Sequence, residues 1–587
     1  MTRVSGVDKG QRRLNGIQTS GREFRDLSEP VYEMAASINV EVPMRDGTTL
    51  LADIYRPEGV GAAPALVSFS PYPRQIQNTR APLGFVEAGS SDFFVPRGYV
   101  HVIVNARGTG GSGGTWSLLD STERNDLHDT IEWVAAQRWC AGAVGMLGIS
   151  YFAMAQLAAA VTAPPALKAV FPFGTNESVF DVVWHNGLLS ESFIGPWIAA
   201  VGGLGSKDDA FWRGRALRIL TGILSAAPVH RRLAHLNGEA MASALKSVMR
   251  ARHPQEPFGR LWRQATIEHP VHDDFWADRD VTKALAQVRI PVYLGCDWDN
   301  SIMHLPGTFS TWEALRHNPN VRMTLLPPGG LNWPWESMHI EALAWYDHWL
   351  KGRDTGIMDG PPIRYHLPGA DDWRTAAEWP PAESAIVDYA LRADGVLARE
   401  EGEPGTRAYL FQPPYVESLP NANPPDLPDR LIWETEPFSA ALEFAGHLEL
   451  ALDATITTSD TAWITVLYDV AQDGTGTPIT GGWLRAALRE IDESSSTPGH
   501  PVLPRTTPTL VHAGEPTTYR IPLVANARRL RVGHRLRLVL TSSDRIDDAP
   551  TILGFRHGQF GAASVNTVGS SSRLRLPVLG EGDGTRP

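Results

Sequence analysis

The most restrictive feature of the sequence is one serine, Ser150, which stands between a strand-like run and a helix-like run. Residues 144–150 read VGMLGIS, and residues 152–161 read FAMAQLAAAV, a run of good helix formers. A strand that turns sharply into a helix at a serine is a nucleophile elbow, which exposes the hydroxyl for attack. The usual pattern G-x-S-x-G is incomplete, since Gly148 is present but Phe152 replaces the second glycine. A buried serine in a β–α turn is therefore the alternative interpretation.

The region around Ser150 has the alternating pattern of an α/β fold. Its near-continuous apolar runs indicate strands buried on both faces, as in a parallel sheet covered by helices. The segment 126–137 has one apolar helical face, and Asp126 and Asp129 lie near its start, where the helix dipole favours acidic groups. The strands predicted here are 48–57, 64–70, 98–108, 144–150 and 167–173.

The pattern changes twice further along the chain. After a helical, Trp- and Arg-rich stretch, strand-like runs return at 289–300 and 321–330, followed by an amphipathic helix over 337–352. Alternating strands separated by Pro/Gly-rich turns then indicate an all-β sandwich or jelly roll. Those strands are 446–458, 462–471, 517–524 and 534–543. We predict four segments: a first core part at 37–175, a helical cap insertion at 176–285, a second core part at 286–372 and a β-domain at 375–580.

Composition disfavours several classes of function. The chain has 587 residues and a net charge of −12, which argues against a nucleic-acid-binding surface. Two cysteines give no disulfide framework, so we expect a cytoplasmic protein. We see no secretory signal pattern and no apolar run near the length of a membrane span, so we expect no membrane association. Metal-binding spacings are absent, and the glycine-rich segment 108–114 lacks a P-loop ending, so we expect neither metal nor cofactor.

Several segments together resemble the cocaine esterase-like and X-Pro dipeptidyl-peptidase-like serine hydrolases, the CocE/NonD group. The string WCAGAVGMLGISYFAMAQ around Ser150 resembles that group's W-C-x-G-x-V-G-M-x-G-x-S-Y. The likeness covers residues 37–578 and implies an α/β-hydrolase core with an inserted helical cap and a C-terminal jelly-roll domain of the galactose-binding-like kind. The other similar segments are VPMRDGTTLLADIYRP (42–57), SPYPR (70–74), ARGTGGSGGTW (106–116), DHWLKG (347–352), VGHRLRLVLTSSD (532–544) and SSSRLRLPVL (570–579).

In this fold the chain order is nucleophile, acid, histidine, and Ser150 would be the nucleophile. The acid should follow a strand beyond the cap, where the sequence offers Asp297 and Asp299. The group has a T-F-like pair ten residues after its aspartate. Phe309 stands at that distance from Asp299, which makes Asp299 the predicted acid. The alternative is that both carboxylates cap the following turn or helix.

The histidine departs from the resemblance. Members of the group carry a G-P-W-x-H-like string after the next strand, where residues 325–335 read LLPPGGLNWPW and contain no histidine. Among His317, His339 and His348, we predict His339 as the base, because it opens a helix at the end of the loop that should carry the base. The alternatives are a helix-capping or core role for His339, or loss of the base.

Acyl transfer also needs donors for the developing oxyanion. We predict the backbone N–H of Tyr151 as one donor, and the resemblance implies the phenol of Tyr72 as the other; a buried turn tyrosine is the alternative for Tyr72. The predicted substrate-lining residues are Trp184, His185 and Trp298.

These observations predict a serine hydrolase that cleaves an ester or amide through an acyl-enzyme on Ser150. Its substrate would be a small molecule or a short peptide, as in an esterase, acylase or dipeptidyl-peptidase, and the resemblance is compatible with a homodimer. Two alternatives remain at this point. One is an acyltransferase that uses the same acyl-enzyme, and the other is a non-catalytic binding protein with this fold.

Overall fold

A large mixed sheet forms the first half of the computed structural model. The model describes residues 2–3, 20–79, 84–206, 209–226, 228–229, 257–331, 335–413, 426–544, 556–558 and 561–580. The strands of the first half are β1 (Thr2–Arg3), β2 (Met34–Pro43), β3 (Thr49–Pro57), β4 (Ala63–Ser70), β5 (Val100–Asn105), β6 (Cys140–Met146), β7 (Leu167–Val170), β8 (Trp184–His185), β9 (Leu188–Leu189), β10 (Val292–Asp297), β11 (Val321–Leu326), β12 (Ile363–Leu367) and β13 (Asp372–Ala376).

Within the described residues, eleven of these strands form one sheet in the order β1-β2-β3-β5-β4-β6-β7-β10-β11-β12-β13. The strands from β5 to β12 pair in parallel, while β1, β2, β3 and β13 add antiparallel edges. Strands β8 and β9 pair with each other as a separate ribbon. The strands predicted from the apolar runs in this half are present, with ends a few residues from the predicted ones.

Helices cover the sheet, and the predicted helix 126–137 begins earlier, at Ser121. Asp120 caps it by accepting hydrogen bonds from the backbone N–H groups of Thr122 and Glu123. Gly352 ends the last helix in the left-handed conformation, with φ 69°. The α-helices are Ser91–Phe94, Ser121–Ala135, Tyr151–Ala160, Val179–Val183, Glu191–Gly205, Asp209–Trp212, Arg215–Ser225, Phe258–Arg263, Asp274–Ala277, Thr282–Leu285, Leu305–Leu315 and His339–Lys351, and shorter 3₁₀ or π turns are Arg74–Thr79, Val95–Arg97, Gln264–Glu268, Glu336–Met338 and Ala486–Leu488.

The two faces of the sheet bury different clusters. Successive strand residues point to opposite faces, so Met146 lies in one cluster and Leu147 in the other. The helix Tyr151–Ala160 and the helix Leu305–Leu315 pack into the first cluster. The helix His339–Lys351 packs into the second. The side of the sheet on which each helix lies decides which histidines can reach Ser150.

The second half of the chain forms an antiparallel β-domain. In the described residues its main path runs β15-β14-β24-β18-β21-β20-β19-β22-β17, and β23 joins β16 to β18. The strands are β14 (Ser384–Leu391), β15 (Leu397–Ala398), β16 (Thr406–Phe411), β17 (Leu431–Glu434), β18 (Leu442–Ile456), β19 (Ala462–Val470), β20 (Gly476–Arg485), β21 (Thr517–Leu530), β22 (Arg535–Thr541), β23 (Ser564–Gly569) and β24 (Arg573–Leu579).

The change from the first sheet to the second falls between Ala376, where β13 ends, and Ser384, where β14 begins. The helical region between β7 and β10 contains the predicted cap at 176–285, of which residues 207–208, 227 and 230–256 lie outside the described residues. The four predicted segment boundaries stay predictions. Among the described helices, none combines the length and the apolar character that crossing a membrane requires.

Candidate active site

Ser150 lies at a strained turn between β6 and the helix Tyr151–Ala160. Its backbone angles are φ 59° and ψ −122°, a conformation that L residues rarely adopt. The turn is held from the neighbouring strand, because the Ser150 N–H donates to the carbonyl of Gly174 at 3.0 Å. Such strain persists where the surroundings impose it, and it occurs at functional sites. Ser150 is also partly exposed as a residue.

The incomplete G-x-S-x-G pattern has a packing explanation. Gly148 has φ 121°, and a Cβ atom there would lie 2.5 Å from Phe152 Cβ and 2.9 Å from the carbonyl oxygen of Glu87. The first glycine is therefore required by close contacts. Phe152 itself is fully buried and packs in the core, so the position two residues after Ser150 tolerates a large side chain.

The imidazole beside Ser150 belongs to His304. Its Nε2 atom lies 3.2 Å from Ser150 Oγ, within reach for proton transfer. His304 follows β10 and immediately precedes the helix Leu305–Leu315, and its backbone N–H donates to Asn300 Oδ1 at 3.1 Å. A position at the start of a packed helix fixes the ring relative to the elbow.

Asn176 sets the protonation of the His304 ring. The amide nitrogen of Asn176 donates to the carbonyl of Met303 at 2.9 Å, which turns its Oδ1 towards His304 Nδ1 at 2.8 Å. An amide oxygen can only accept, so Nδ1 carries the hydrogen. Nε2 is then the unprotonated nitrogen, and it faces the Ser150 hydroxyl as an acceptor.

The close approach of these two residues depends on a glycine. A Cβ atom at Gly307 would lie 2.6 Å from Asn176 Cα and 2.6 Å from the carbonyl oxygen of Thr175. The helix that follows His304 can therefore approach the loop carrying Asn176 because residue 307 has no side chain.

Burial lowers the pKa of His304 to about 3. The ring is thus neutral at neutral pH, the state in which it can accept a proton from a serine. The Nδ1 partner is a neutral amide in place of the usual carboxylate.

The structure places His339, the predicted base, in a different environment. Its ring packs against Phe93, Phe94 and Trp335, with centroid distances of 5.2, 5.3 and 4.9 Å. These rings belong to the cluster on the face of the sheet opposite the helix Tyr151–Ala160. The prediction that His339 lies beside Ser150 is therefore corrected: the nearby histidine is His304.

The side chain that meets His304 Nδ1 is that of Asn176 and not that of the predicted acid Asp299, whose catalytic role stays a prediction. Asp299 is half-buried at the end of β10, where burial raises its pKa and a hydrogen bond from the Gly329 backbone lowers it. The alternative acid, Asp297, is fully buried and accepts the Leu331 N–H at 3.1 Å. Burial raises the pKa of Asp297 to about 8, so this carboxyl is protonated at neutral pH.

The two predicted oxyanion donors, Tyr72 and Tyr151, both neighbour Ser150, and their role as donors stays a prediction. Burial, together with the nearby Glu87, raises the pKa of Tyr72 well above 10 despite a lowering contribution from a hydrogen bond with the Ser150 side chain, so the phenol stays protonated. Tyr151 is the first residue of the helix after Ser150, and its N–H is among those that lack a partner within the helix. The Tyr151 phenol points elsewhere and donates to Glu123 at 2.6 Å.

The three predicted substrate-lining residues contact the cap, strand β12 of the first sheet and the β-domain. Trp184 donates to the carbonyl of Ala265 at 2.9 Å, and Trp298 donates to that of His366 at 2.7 Å. His185 Nδ1 lies 2.7 Å from Nε2 of His557 in the β-domain. These hydrogen bonds do not include Ser150 or His304, and a role in substrate binding stays a prediction.

Sequence reasoning missed His304 and Asn176. His304 lies five residues after Asp299, in the segment DWDNSIMHLPG, directly before a leucine–proline pair that opens a helix. That proline was the available signal. A proline in the first helical turn marks the start of a helix, and a side chain directly before it lies at the end of that helix. Asn176 carries no local signal, since its role depends on contact with a residue far along the chain.

Both halves of the chain match known family models. Residues 46–330 match the X-Pro dipeptidyl-peptidase (S15 family) model, and residues 355–546 match the X-Pro dipeptidyl-peptidase C-terminal non-catalytic domain. Together the two matched ranges extend over most of the chain.

Individual relatives agree. Cocaine esterase from Rhodococcus sp. (strain MB1 Bresler) is 26% identical over 568 residues, covering 87% of this chain and 91% of that protein. A putative Xaa-Pro dipeptidyl-peptidase from Bacillus cereus is 23% identical, covering 79% and 74%. The crystal structure of a CocE/NonD family hydrolase from Staphylococcus aureus superposes with a TM-score of 0.73 at 20% identity, covering 93% and 94%. The fold class predicted from the sequence is thereby confirmed.

Proposed function

The chain belongs to the CocE/NonD and X-Pro dipeptidyl-peptidase (S15) family of serine hydrolases, and on this premise we propose that it cleaves an ester or amide through an acyl-enzyme on Ser150. The family resemblance and the hydrolase class predicted from the sequence are confirmed. The catalytic residues, the acyl-enzyme and the substrate are parts of the proposal.

The first half of the reaction forms the acyl-enzyme. His304 Nε2 takes the proton of the Ser150 hydroxyl while Oγ bonds to the substrate carbonyl carbon. The carbonyl oxygen becomes an oxyanion, which accepts hydrogen bonds from the Tyr72 phenol and the Tyr151 N–H. The imidazolium then gives its proton to the leaving oxygen or nitrogen as the bond to the carbonyl carbon breaks.

The second half releases the acid. Water takes the position of the leaving group and gives a proton to His304 Nε2 as its oxygen bonds to the acyl carbon. Collapse of this intermediate returns the proton to Ser150 Oγ. The same two donors serve both oxyanions, since these form at one place.

Asn176 would orient the ring throughout this cycle. Its Oδ1 accepts the Nδ1 hydrogen in the neutral and in the protonated imidazole, so the ring keeps its direction when charge develops. A neutral amide stabilises the imidazolium less than a carboxylate does. The expected cost is a slower proton transfer with the geometry retained.

The observation that carries this proposal is the 3.2 Å contact between His304 Nε2 and Ser150 Oγ at a strained, partly exposed turn. The alternative of a binding protein rested on the missing histidine after β11, and His304 supplies a base from another segment. Hydrolysis and transfer to an alcohol or amine share the same acyl-enzyme, so product analysis in the presence of an added alcohol or amine distinguishes them.

A fluorophosphonate probe and an activated ester, p-nitrophenyl butyrate, test the proposal together. We expect the folded protein to be labelled and to release p-nitrophenol, and Ser150→Ala to lose both signals. Ser68→Ala is the matched control, because Ser68 also contacts a histidine but is fully buried. A folded wild-type protein that is not labelled, or labelling that persists in Ser150→Ala, would contradict the proposal.

A further inference from the structure

The Tyr72 hydroxyl has a second contact, which comes from the cap. Trp197, in the cap helix Glu191–Gly205, donates its indole N–H to the Tyr72 hydroxyl oxygen at 2.9 Å. An indole nitrogen can only donate, so the direction of this hydrogen bond is fixed. Trp197 is partly buried and lies on the cap side of the elbow.

This contact restricts where the Tyr72 proton points. A phenol has a single hydrogen, and Trp197 occupies one of the acceptor positions on the oxygen. The hydrogen is left to point away from Trp197, and among the described residues the Ser150 side chain is a further hydrogen-bond partner of this hydroxyl. Accepting a hydrogen bond also polarises the phenol and makes it a stronger donor.

We propose that Trp197 is a positioning residue that holds Tyr72 in the orientation of an oxyanion donor, so that the cap completes the oxyanion hole. This inference rests on the proposed function. It assigns a polar role to the indole N–H in addition to the packing role of its ring.

The helix that carries Trp197 is anchored next to Tyr72. The Gly110 N–H donates to the carbonyl of Gly205, the last residue of this helix, at 2.7 Å. Gly205 also approaches the chain directly before Tyr72: a Cβ atom there would lie 3.2 Å from the carbonyl oxygen of Pro71. The indole and the phenol are thus held by the same contact between the helix and the loop.

The other end of the helix contacts the β-domain. The Ser192 N–H donates to the carbonyl of Arg556 at 3.1 Å, and the Arg556 N–H donates back to Ser192 Oγ at 2.5 Å. A single helix therefore connects the β-domain with the oxyanion tyrosine. A shift of this helix would move the donor to Tyr72, and catalysis is sensitive to such small misplacements.

Ring packing is the competing role for Trp197. Its indole stacks on Tyr151 at a centroid distance of 6.1 Å and meets Trp116 edge-on at 5.7 Å. The test must therefore remove the N–H and keep an aromatic ring.

Trp197→Phe does this, and p-nitrophenyl butyrate hydrolysis measures the effect. We expect kcat to fall about tenfold, the size of one net hydrogen bond, with KM changed less than about twofold. Tyr72→Phe should lower kcat about 10²-fold, the effect of losing one oxyanion donor. In the Tyr72→Phe background, Trp197→Phe should change kcat less than about twofold, because its target is gone.

Trp116→Phe is the matched control. Trp116 also donates its indole N–H to a tyrosine hydroxyl, that of Tyr151 at 3.0 Å, but this phenol donates to Glu123. Because the hydroxyl involved does not face Ser150, we expect kcat of Trp116→Phe within about twofold of wild type. Melting temperatures of all variants report any loss of packing.

The outcomes separate this inference from the proposed function. If Tyr72→Phe is slow and Trp197→Phe matches wild type, the inference is wrong and the hydrolase proposal stands. An equal loss of kcat from Trp197→Phe in the wild-type and in the Tyr72→Phe background would also overturn the inference, because the effect of Trp197 would then not depend on the Tyr72 hydroxyl. If Trp197→Phe does not fold, a benzothienyl-alanine at 197 keeps the shape without the N–H, and the same expectations apply. A wild-type protein without activity and without fluorophosphonate labelling contradicts the proposed function itself.

Discussion

Ser68 and Ser150 each contact a buried histidine, and the two pairs differ in the hydrogen bonds around them. Ser68 Oγ lies 2.9 Å from His101 Nε2, close to the 3.2 Å between Ser150 Oγ and His304 Nε2. Burial lowers the pKa of both histidines to about 3. Distance and pKa therefore do not distinguish the two pairs.

The partners of the Ser68–His101 pair fix the opposite arrangement of protons. Ser68 Oγ donates towards the carbonyl oxygens of Ala88 and Leu147, at 3.0 and 2.8 Å, so its hydrogen is already used. His101 Nε2 must then be the donor to Ser68, which leaves Nδ1 to accept from Ser91 Oγ at 2.7 Å. His304 has the reverse tautomer, because Asn176 takes its Nδ1 hydrogen.

The comparison teaches that the atom on the far side of the ring decides whether a serine–histidine contact can do chemistry. Access adds to this, since Ser68 is fully buried within β4 and Ser150 is partly exposed at a turn. The hydrogen bonds of the Ser68–His101 pair link strands and loops. The Ser150–His304 pair has the arrangement of protons that the proposed reaction needs.

Replacing each of the two serines by alanine gives the largest expected difference in catalytic activity. Ser150→Ala should lower kcat/KM by at least about 10⁴-fold, because the nucleophile is lost, with little change in stability. Ser68→Ala should lower the free energy of unfolding by about 1–3 kcal/mol, because buried partners lose a hydrogen bond, with kcat per folded molecule unchanged. Ester hydrolysis and urea unfolding measure the two effects. A catalytic loss in Ser68→Ala comparable to that in Ser150→Ala would break the comparison.

Replacing histidines gives the next largest difference. His304→Ala should lower kcat/KM by about 10³-fold, the contribution of a general base. His339→Leu should keep kcat within about threefold of wild type, because His339 packs among apolar rings on the other face of the sheet. Steady-state hydrolysis of p-nitrophenyl butyrate measures both. Full activity of His304→Ala would show that another residue is the base.

Replacing Asn176 tests the comparison at the Nδ1 side of the His304 ring. Asn176→Ala should lower kcat by about 10²-fold, because the tautomer and the direction of the ring are no longer fixed. Asn176→Asp should lose less, since a carboxylate also accepts the Nδ1 hydrogen, although it cannot donate to the Met303 carbonyl. Steady-state kinetics of the two variants give their order. The reverse order would show that Asn176 acts through Met303 and not through His304.

The smallest expected effect is one that both pairs share, a dependence of stability on pH. The ordinary histidine pKa of 6.5 is lowered to about 3 for both rings in the folded chain. Between these values the unfolded chain binds more protons, so the free energy of unfolding rises with pH up to about 6.5 and then levels. His101→Gln should make this rise shallower, measured by urea unfolding from about pH 4 to pH 8. An unchanged slope would mean that His101 does not stay neutral in the folded chain.

Short sequence motifs predicted a large part of the candidate site. The elbow at Ser150 and the phenol of Tyr72 belong to short segments whose geometry the neighbouring residues determine. The parallel strands were predictable because strands buried on both faces are continuously apolar. The last two strands of the sheet, β12, which pairs in parallel with β11, and the antiparallel edge strand β13, follow no such run.

The proposed base, His304, could not be predicted from order along the chain. His339 stands near the expected place in sequence, but its helix packs on the opposite face of the sheet. Asn176 and His304 come from segments far apart in sequence that meet through tertiary packing. A neutral amide also lacks the charge that makes an aspartate conspicuous as a partner for histidine.

Gly307 links the chemistry to the order in which the molecule becomes organised. Because His304 immediately precedes a helix that fits against Asn176 only through this glycine, we expect the proposed base to reach its place when that helix docks. On the proposed function, catalytic activity would then arise together with the packing of this part of the core, and we expect heating to abolish turnover and helix packing together. Activity would then report whether this helix has docked. Even one additional methyl group at position 307 should displace the helix from Asn176 and lower activity in a chain that is otherwise folded.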